Sequence, residues 1–342
     1  MKDEMTQFDI PIVLIVFKRK DTVLRIIDRI REITPQKIYL LSDEGRDDDE
    51  IKLVEDVRNS IEQAIDWKCD VIKNYAEVNR GVYANIALGA KWVFEREKKA
   101  IFLEDDNLPE VSFFRFCAEM LERYEKDTKI LWVCGTNYLG KYEPENKASY
   151  VFTRHMLPCG WASWSDKFMS FYDFDLSLME DAYIVREMAQ NYQDQRLYQQ
   201  QIESIQREQR RKKNKGRFAS WDHHMTLTLR ANDLLGVVPC NNQIKNIGVD
   251  EFSAHGGTSM ANEMTRRFCG VDSVPVEFPL VHPKVVLTDA IFEKKISDII
   301  LYPLSFRVKN RFNKLFKKLL SINEDDSLSG TIKKRTNLDK WE

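Results

Sequence analysis

The chain has 342 residues, 43% of them hydrophobic and 11% aromatic, which suits one large domain or a domain with an appendage. Its 52 basic and 54 acidic side chains leave a net charge of −2, which excludes a general affinity for nucleic acid. Six cysteines stand far apart without a CxxC pair and predict reduced thiols. The N-terminus has no signal-peptide pattern and no apolar run approaches about 18 residues, so we expect a cytoplasmic or peripheral protein.

Strand and helix patterns alternate along the first hundred residues. Aliphatic runs predict buried strands, and apolar residues at helical spacing predict the helices between them. The predicted strands are Ile10–Phe17, Lys37–Ser42, Cys69–Lys73 and Ala100–Leu103, and the predicted helices are Thr22–Ile33, Asp48–Trp67 and Val82–Glu95. This alternation predicts an α/β fold with a mostly parallel sheet, flanked by helices and joined by right-handed crossovers. Ligands of such sheets bind at the carboxyl ends of the strands.

The second half of the chain has a less regular pattern. Its predicted elements are helix Phe113–Tyr124, strand Ile130–Cys134, a charged helical stretch within Tyr192–Arg217, a helix from Asp222 to Asn232 and strand Leu235–Pro239. The cations at the end of the charged stretch are interpreted as a solvated helix end. We expect a catalytic domain over residues 1–285 and a helical tail over residues 286–342.

The tail carries a basic amphipathic helix from about Leu304. Its apolar residues recur at helical spacing, with six Lys or Arg side chains around them. Such a helix either lies on an anionic membrane surface or packs its apolar stripe on the catalytic domain, and both interpretations stay open.

Three carboxylates follow directly on one predicted strand. Glu104, Asp105 and Asp106 come after an apolar run, and Asn107-Leu108-Pro109 ends the strand. Three like charges repel one another unless a cation lies among them, and Mg²⁺ or Mn²⁺ with oxygen ligands is the natural occupant. A solvated acidic turn is the alternative.

The ordered motifs of the chain resemble those of GT-A fold glycosyltransferases, which transfer sugars from nucleoside diphosphate donors. The resemblance covers roughly residues 10–260 and is nearest to bacterial sugar transferases of polysaccharide and lipopolysaccharide assembly, and more distant to N-acetylglucosaminyltransferase I. The motifs are Pro11 to Phe17, Ser42-Asp43, Asn79-Arg80-Gly81, Leu103-Glu104-Asp105-Asp106, Gly160-Trp161 with Trp164, and Trp221-Asp222.

The resemblance implies a set of site residues. Asp106 would bind Mn²⁺ or Mg²⁺, with His255 as a metal or phosphate contact. Asp222 would be the general base, although many bacterial relatives have a Tyr-Gln pair at this point, and a helix N-cap is its alternative role. The expected nucleotide-sugar contacts are Phe17, Arg19, Asp43, Arg80, Glu104, Asp105 and Trp161, with Asp43 reading the uracil ring and Trp161 forming either a sugar-stacking wall or core.

The implied function is a metal-dependent, inverting glycosyltransferase. Its donor would be a UDP-sugar of the UDP-GlcNAc or UDP-Gal type, and its acceptor a glycan or lipid-linked saccharide of surface polysaccharide biosynthesis at the inner membrane face. Two alternatives stay open. A sugar-phosphate nucleotidyltransferase usually has an N-terminal Gly-rich phosphate loop, and Val13 to Lys20 contains no glycine. A non-catalytic sugar-nucleotide-binding module would have lost the acidic motif, which is intact.

Overall fold

The computed structural model describes residues 8–249, 259–320 and 322. The chain divides into two units, residues 1–298 and 299–342, whereas the sequence pattern predicts a domain boundary after residue 285. In the first unit the strands are β1 Ile12–Val16, β2 Lys37–Ser42, β3 Asp70–Tyr75, β4 Lys99–Glu104, β5 Asn107–Pro109, β6 Ile130–Cys134, β7 Tyr150–Thr153, β8 Trp161–Trp164, β9 Leu235–Pro239 and β10 Ile244–Asn246.

Eight of these strands form one mixed sheet in the order β3-β2-β1-β4-β8-β6-β9-β7. The pairs β1–β2, β2–β3, β1–β4 and β6–β9 are parallel. Strand β8 is antiparallel to both β4 and β6, and β7 is antiparallel to β9. Strands β5 and β10 pair separately as a two-stranded antiparallel sheet. The predicted α/β class with a mostly parallel, Rossmann-like sheet is confirmed.

The helices follow the predicted order, with several short additions. Their bounds are α1 Lys20–Arg31, α2 Asp48–Ala64, α3 Gly89–Phe94, α4 Val111–Arg123, α5 Ser165–Phe171, α6 Ala182–Met188, α7 Gln195–Lys215, α8 Asp222–Ala231, α9 Glu263–Cys269, α10 Ala290–Ile300 and α11 Leu304–Leu319. The predicted helix Val82–Glu95 contains a π-helical turn at Ala84–Leu88 before α3. No helix within the described ranges has the length and apolar character needed to cross a membrane.

The sheet is covered on both faces along β1. All five residues of that strand, Ile12–Val16, are buried aliphatic side chains without alternation, as expected for a parallel strand between two helical layers. Helix α1 turns a stripe of four buried aliphatic residues toward this core, at Val23, Ile26, Ile27 and Ile30. The core therefore holds β1 and β4 rigidly, and their carboxyl ends form the edge on which the predicted site lies.

Candidate active site

The topology creates a crevice at the carboxyl ends of β1 and β4. From β1 the chain proceeds to β2 and β3 on one side of the sheet and then returns to β4 on the other side. Ile15 of β1 pairs with Glu104 of β4, so the segment after β1 lies beside the acidic turn after β4. Sheets with this change of direction bind their ligands at that point.

Arg19 joins the acids of this turn to the end of β1. Its Nη1 donates to Asp105 Oδ1 (3.2 Å) and to Asp106 Oδ2 (3.1 Å). The main-chain N–H of Phe17 donates to Asp105 Oδ2 (3.0 Å), and Arg19 Nη2 donates to the carbonyl of Gly248 (3.3 Å). The structure thus brings four predicted site residues, Phe17, Arg19, Asp105 and Asp106, into one hydrogen-bonded group.

Two residues without an assigned role in the sequence analysis orient Asp106. Asn107, 1% exposed, donates from Nδ2 to Asp106 Oδ1 (2.6 Å) and accepts at Oδ1 from the N–H of Gly160 (2.9 Å). Gly248 lies so close that a Cβ on it would be 2.3 Å from Asp106 Oδ2. Any larger residue at this position would push against the carboxylate. The sequence pattern indicates only that Asn107 ends a strand, because a side-chain hydrogen bond of this kind leaves no periodic signal in a sequence.

Burial and mutual repulsion make it unfavourable for the acids of the turn to be ionised together. Burial, followed by the charges of Asp106, Asp105 and Asp222, raises the pKa of Glu104 well above its usual range. Burial and the charge of Asp106 raise the pKa of Asp105 to about 6, while Arg19 opposes that shift. An added cation would stabilise the ionised forms of these groups. The influence of Asp222 on Glu104 also places the predicted base within electrostatic reach of the acidic turn.

The acidic turn is the part of the described structure that could bind a divalent ion. Within the described ranges, no group of three or more His, Cys, Asp or Glu side chains converges on a point that could hold a metal ion. His255 lies outside the described residues. Mg²⁺ and related ions are commonly bound by one or two carboxylates together with substrate phosphates and water, and not by an all-protein cage. Asp106, with neighbouring acids of raised pKa, fits that kind of site.

Asp43 holds the loop that follows β3. This carboxylate is 5% exposed and accepts four hydrogen bonds, one side-chain and three main-chain. The donors are the N–H of Glu44 (2.9 Å), Asn79 Nδ2 (3.2 Å), the N–H of Arg80 (2.9 Å) and the N–H of Gly81 (2.9 Å). Since a carboxylate offers about four lone-pair positions, the N–H of Glu44 and the three donors of the loop together use the acceptor capacity of Asp43.

Arg58 bonds to the segment that carries Asp43, and Arg80 belongs to the loop after β3. Arg58 of α2 donates to Ser42 Oγ (2.9 Å), to the carbonyl of Asp43 (3.1 Å) and to Glu44 Oε2 (3.0 Å). The guanidinium of Arg80 bonds to Asn74 and Asn85, and burial lowers its pKa. The side chain of Arg80 is therefore anchored within the fold, while its main-chain N–H contacts Asp43. Arg58 was not among the predicted site residues.

Asp222 is the first residue of α8. The N-cap is Trp221, which makes no side-chain capping bond. The half-buried carboxylate of Asp222 accepts one hydrogen bond from within the described part of the chain, from the N–H of His223 (3.1 Å). Two residues on, His224 is fully buried and bonds through Nδ1 to the carbonyl of Asp173 (2.8 Å). Asp222 is thus not the helix N-cap, and His224 is a structural anchor for its helix.

Trp161 lies in the core and not on a ligand-facing wall. Its side chain is 1% exposed. The ring stacks on Phe102 of β4 (centroids 3.8 Å apart) and on Trp132 of β6 (4.5 Å), and β8 lies between these two strands. The prediction that Trp161 contacts the sugar is corrected for this reason. The glycine before it, Gly160, serves the fold by contacting Asn107 and not by opening a pocket.

Comparisons with known proteins gave structural matches only. No family model matches the sequence, and no curated protein matches it. Glucosyl-3-phosphoglycerate synthase from Mycobacterium tuberculosis, in complex with Mn²⁺, UDP and glucosyl-3-phosphoglycerate, has 13% identity and a TM-score of 0.30 over 46% of this chain. The match spans 57% of that synthase, somewhat more than half of its length.

Two further solved structures belong to nucleotide-using enzymes of other kinds. A UDP-glucose pyrophosphorylase complexed with UDP-glucose has 9% identity and a TM-score of 0.35, over 70% of this chain and 94% of that one. The 4-diphosphocytidyl-2C-methyl-D-erythritol synthase of Anaerococcus prevotii has 11% identity and a TM-score of 0.30, over 50% and 76%. All three TM-scores lie below 0.5, and the assignment of the fold class rests on the sheet described above.

Proposed function

We propose that this protein is a metal-dependent, inverting glycosyltransferase of the GT-A type that uses a UDP-sugar, of the UDP-GlcNAc or UDP-Gal type, as donor. The observation that carries the proposal is the group of three carboxylates, Glu104, Asp105 and Asp106, at the point where the sheet changes direction. Two of them share Arg19, and Asp106 fills the space that a Cβ on Gly248 would need. That arrangement suits a cation and a diphosphate better than it suits a solvated turn.

The donor would lie across the ends of β1, β2 and β4. Asp106 would hold Mn²⁺ or Mg²⁺, which when bound neutralises charge on the diphosphate as UDP leaves. Arg19 is placed to contact phosphate oxygens, and Glu104 and Asp105 to contact the sugar and ribose. His255 remains proposed as a further metal or phosphate contact. Phe17 and the loop of Asp43 and Arg80 would bind the uridine.

Asp222 would act as the general base. The acceptor hydroxyl oxygen forms a bond to the donor's anomeric carbon while the bond from that carbon to UDP breaks, and UDP leaves with the electron pair. The hydroxyl proton passes to the carboxylate of Asp222. Support comes from its half-buried position on an anchored helix, its single local hydrogen bond and its electrostatic reach to Glu104. The product would have the anomeric configuration opposite to that of the donor.

The proposed acceptor is a glycan or lipid-linked saccharide of surface polysaccharide biosynthesis, including lipopolysaccharide. Such acceptors are found at the inner face of a membrane, where the basic helix α11 would hold the enzyme as a peripheral protein. Its apolar side chains are exposed, with Phe312 at 57% and Leu319 at 70%. Exposed apolar residues among six cations suit an anionic lipid surface.

A donor screen tests the function. UDP release is measured with Mn²⁺ across UDP-sugars and a few GDP- and dTDP-sugars, with saccharide acceptors. We expect release from one UDP-sugar, its loss in EDTA, and its loss in Asp106→Ala. The matched control is Asp49→Ala, which removes a carboxylate that is 94% exposed. Full activity in EDTA would contradict the metal assignment, and release of pyrophosphate from UTP and a sugar phosphate would indicate a nucleotidyltransferase.

A further inference from the structure

A dense group of cations ends α7 and continues into the loop before α8. Residues 207–217 contain seven Lys or Arg side chains and one acid, Glu208. Because the whole chain has a net charge of −2, this density is local. Six of the seven are exposed, and we use the name basic rim for four of them, Arg211, Lys213, Lys215 and Arg217.

Among the residues that the structure describes, no acid pairs with the basic rim. Glu208 is 5% exposed and turns inward, where its Oε2 accepts from the N–H of Ala219 (2.6 Å) and of Ser220 (3.1 Å). None of the four rim side chains makes an ion pair with an acid that the structure describes. The helix dipole favours cations in the last turn of α7, but Arg217 lies beyond the end of that helix at Lys215.

The end of the basic rim, at Arg217, and the residue after it contact two segments of the candidate active site. Phe218, directly after the rim, is 6% exposed and packs on Tyr83 (ring centroids 5.0 Å apart) and on His224 (4.5 Å). Tyr83 follows the loop held by Asp43, and His224 lies two residues after Asp222. Arg217 Nη1 lies 3.9 Å from the position that a Cβ on Gly81 would take. The loop between α7 and α8 therefore contacts the segment that follows the loop of Asp43 and the helix that carries Asp222.

The negative charge of the proposed site bears on which acceptor the basic rim would suit. The proposed site contains five carboxylates, at Asp43, Glu104, Asp105, Asp106 and Asp222. A neutral acceptor would need no cations beside the site. An anionic acceptor would be repelled by the carboxylates unless nearby cations offset their negative charge. Clustered charges of one sign beside a cleft raise the local concentration of the opposite ion.

We propose that the basic rim binds the anionic groups of the acceptor, so that the glycan receiving the sugar carries phosphate or carboxylate groups. This inference rests on the proposed glycosyltransferase function. The guanidinium groups of Arg211 and Arg217 present a planar fork that matches the two oxygens of either group. Lys213 and Lys215 add point charges at the same end of α7.

Binding to the full-length protein is the first arm of the test. The probes are labelled inorganic polyphosphate, oligogalacturonate and a neutral dextran oligosaccharide, followed by fluorescence anisotropy at several salt concentrations. The rim variant replaces its four cations with Gln, and the control variant replaces the exposed Lys98, Lys126, Lys141 and Lys284 with Gln. We expect the rim variant to lose at least about tenfold in affinity for one anionic probe. The slope of log affinity against log salt concentration should become shallower by about 3, because four cations no longer release counterions on binding.

The second arm measures transfer. Two acceptors with the same saccharide, one esterified with phosphate or carrying a uronate and one neutral, are compared by UDP release. The wild type should prefer the charged acceptor by about tenfold or more in kcat/KM. The rim variant should bring that ratio close to one while the KM for the donor stays within about twofold. The control variant should behave as the wild type.

Several results would overturn the inference. These are equal use of charged and neutral acceptors, a rise in donor KM in the rim variant, or probe binding that the rim variant retains. Tighter rim-dependent binding of an RNA oligonucleotide or of phosphatidylglycerol vesicles than of both probes would assign the rim to another class of partner. Absence of UDP release with every donor would instead contradict the proposed function, and the binding arm would then still report whether the rim recognises anionic groups.

Discussion

Two groups would compete for hydrogen bonds to the carboxylate of Asp43, because the loop that it holds and the uracil ring of a donor would use the same oxygens. Its four donors leave no acceptor position for the N3–H of uracil unless one bond is exchanged. The longest is the 3.2 Å bond from Asn79 Nδ2, which is also the one side-chain donor. Asn79 is therefore the group that uracil would displace most easily.

Asp43 should determine the preference for uracil over cytosine. Cytosine has no proton on N3, so UDP should bind about tenfold more tightly than CDP, the worth of one hydrogen bond to a charged group. Asp43→Ala should lower this ratio to nearly one, and Asn79→Ala should keep or increase it. Titration calorimetry with UDP and CDP checks both variants. Equal affinity for the two nucleotides in the wild type would contradict the uracil assignment.

Asp222→Asn should lower kcat by about 10²–10⁴, because the amide keeps the shape of the side chain and removes its basicity. Donor affinity should survive, since the nucleotide contacts lie elsewhere. The matched control is Asp233→Asn, at the other end of α8, where the acid is 60% exposed and pairs with Arg154. Near-normal turnover in Asp222→Asn, or a product of retained anomeric configuration by NMR, would contradict the inverting mechanism.

Helix α8 is anchored at its far end by a buried polar network. Arg230 donates from Nη1 to the carbonyl of Asn191 (2.6 Å) and from Nη2 to His155 Nδ1 (3.1 Å). His155 Nε2 in turn lies 3.1 Å from the carbonyl of Glu293, whose carboxylate bonds Thr153. Nδ1 of His155 thus accepts a hydrogen bond from a guanidinium, and this arrangement requires the neutral imidazole. The same helix carries Asp222, so this network helps to fix the proposed base.

Protonation of His155 should therefore destabilise the protein. Burial, together with the charge of Arg230, lowers the pKa of His155 from 6.5 to about 4. Between these values the unfolded chain binds more protons, so stability is present above about pH 6.5 and is lost as the pH falls toward 4. The loss at pH 5 should be about 2 kcal/mol. Urea denaturation at pH 7 and pH 5 measures it, and His155→Gln should show a smaller difference. An equal difference in both proteins would exclude His155 as the cause.

The parallel strands were predictable from sequence, and the antiparallel ones were not. β1, β2 and β4 contain continuous apolar runs. Parallel strands bring their carboxyl ends to one edge, so the runs predicted where Asp43 and the acidic turn lie. β5 and β10 have three residues each and β8 has four, too few for a period to be visible. Asn107 was missed for a related reason, since its function depends on β8 lying next to β4.

At the scale of the whole molecule, the helix α11 should bind anionic membranes. Each of its six cations should add about 1 kcal/mol near such a surface. Flotation with phosphatidylglycerol vesicles, but not phosphatidylcholine vesicles, should carry the full-length protein at low salt. Replacing Phe312 and Phe316 with Ser should abolish flotation, whereas the basic-rim variant should retain it. If the wild type does not float with these vesicles at low salt, the membrane role of α11 is contradicted and the alternative, packing on the catalytic domain, is favoured.

The insertion of β8 between β4 and β6 also affects biosynthesis. While the ribosome has made only the first four strands, β4 is an open edge, because its second neighbour is encoded after β6 and β7. Gly248, whose carbonyl accepts from Arg19, emerges later still. A nascent chain interrupted before β10 would lack the Gly248 segment beside the acidic turn. It would also lack the strand that pairs with β5. The growing chain should consequently acquire a stable parallel half early and a competent nucleotide site only near the end of translation.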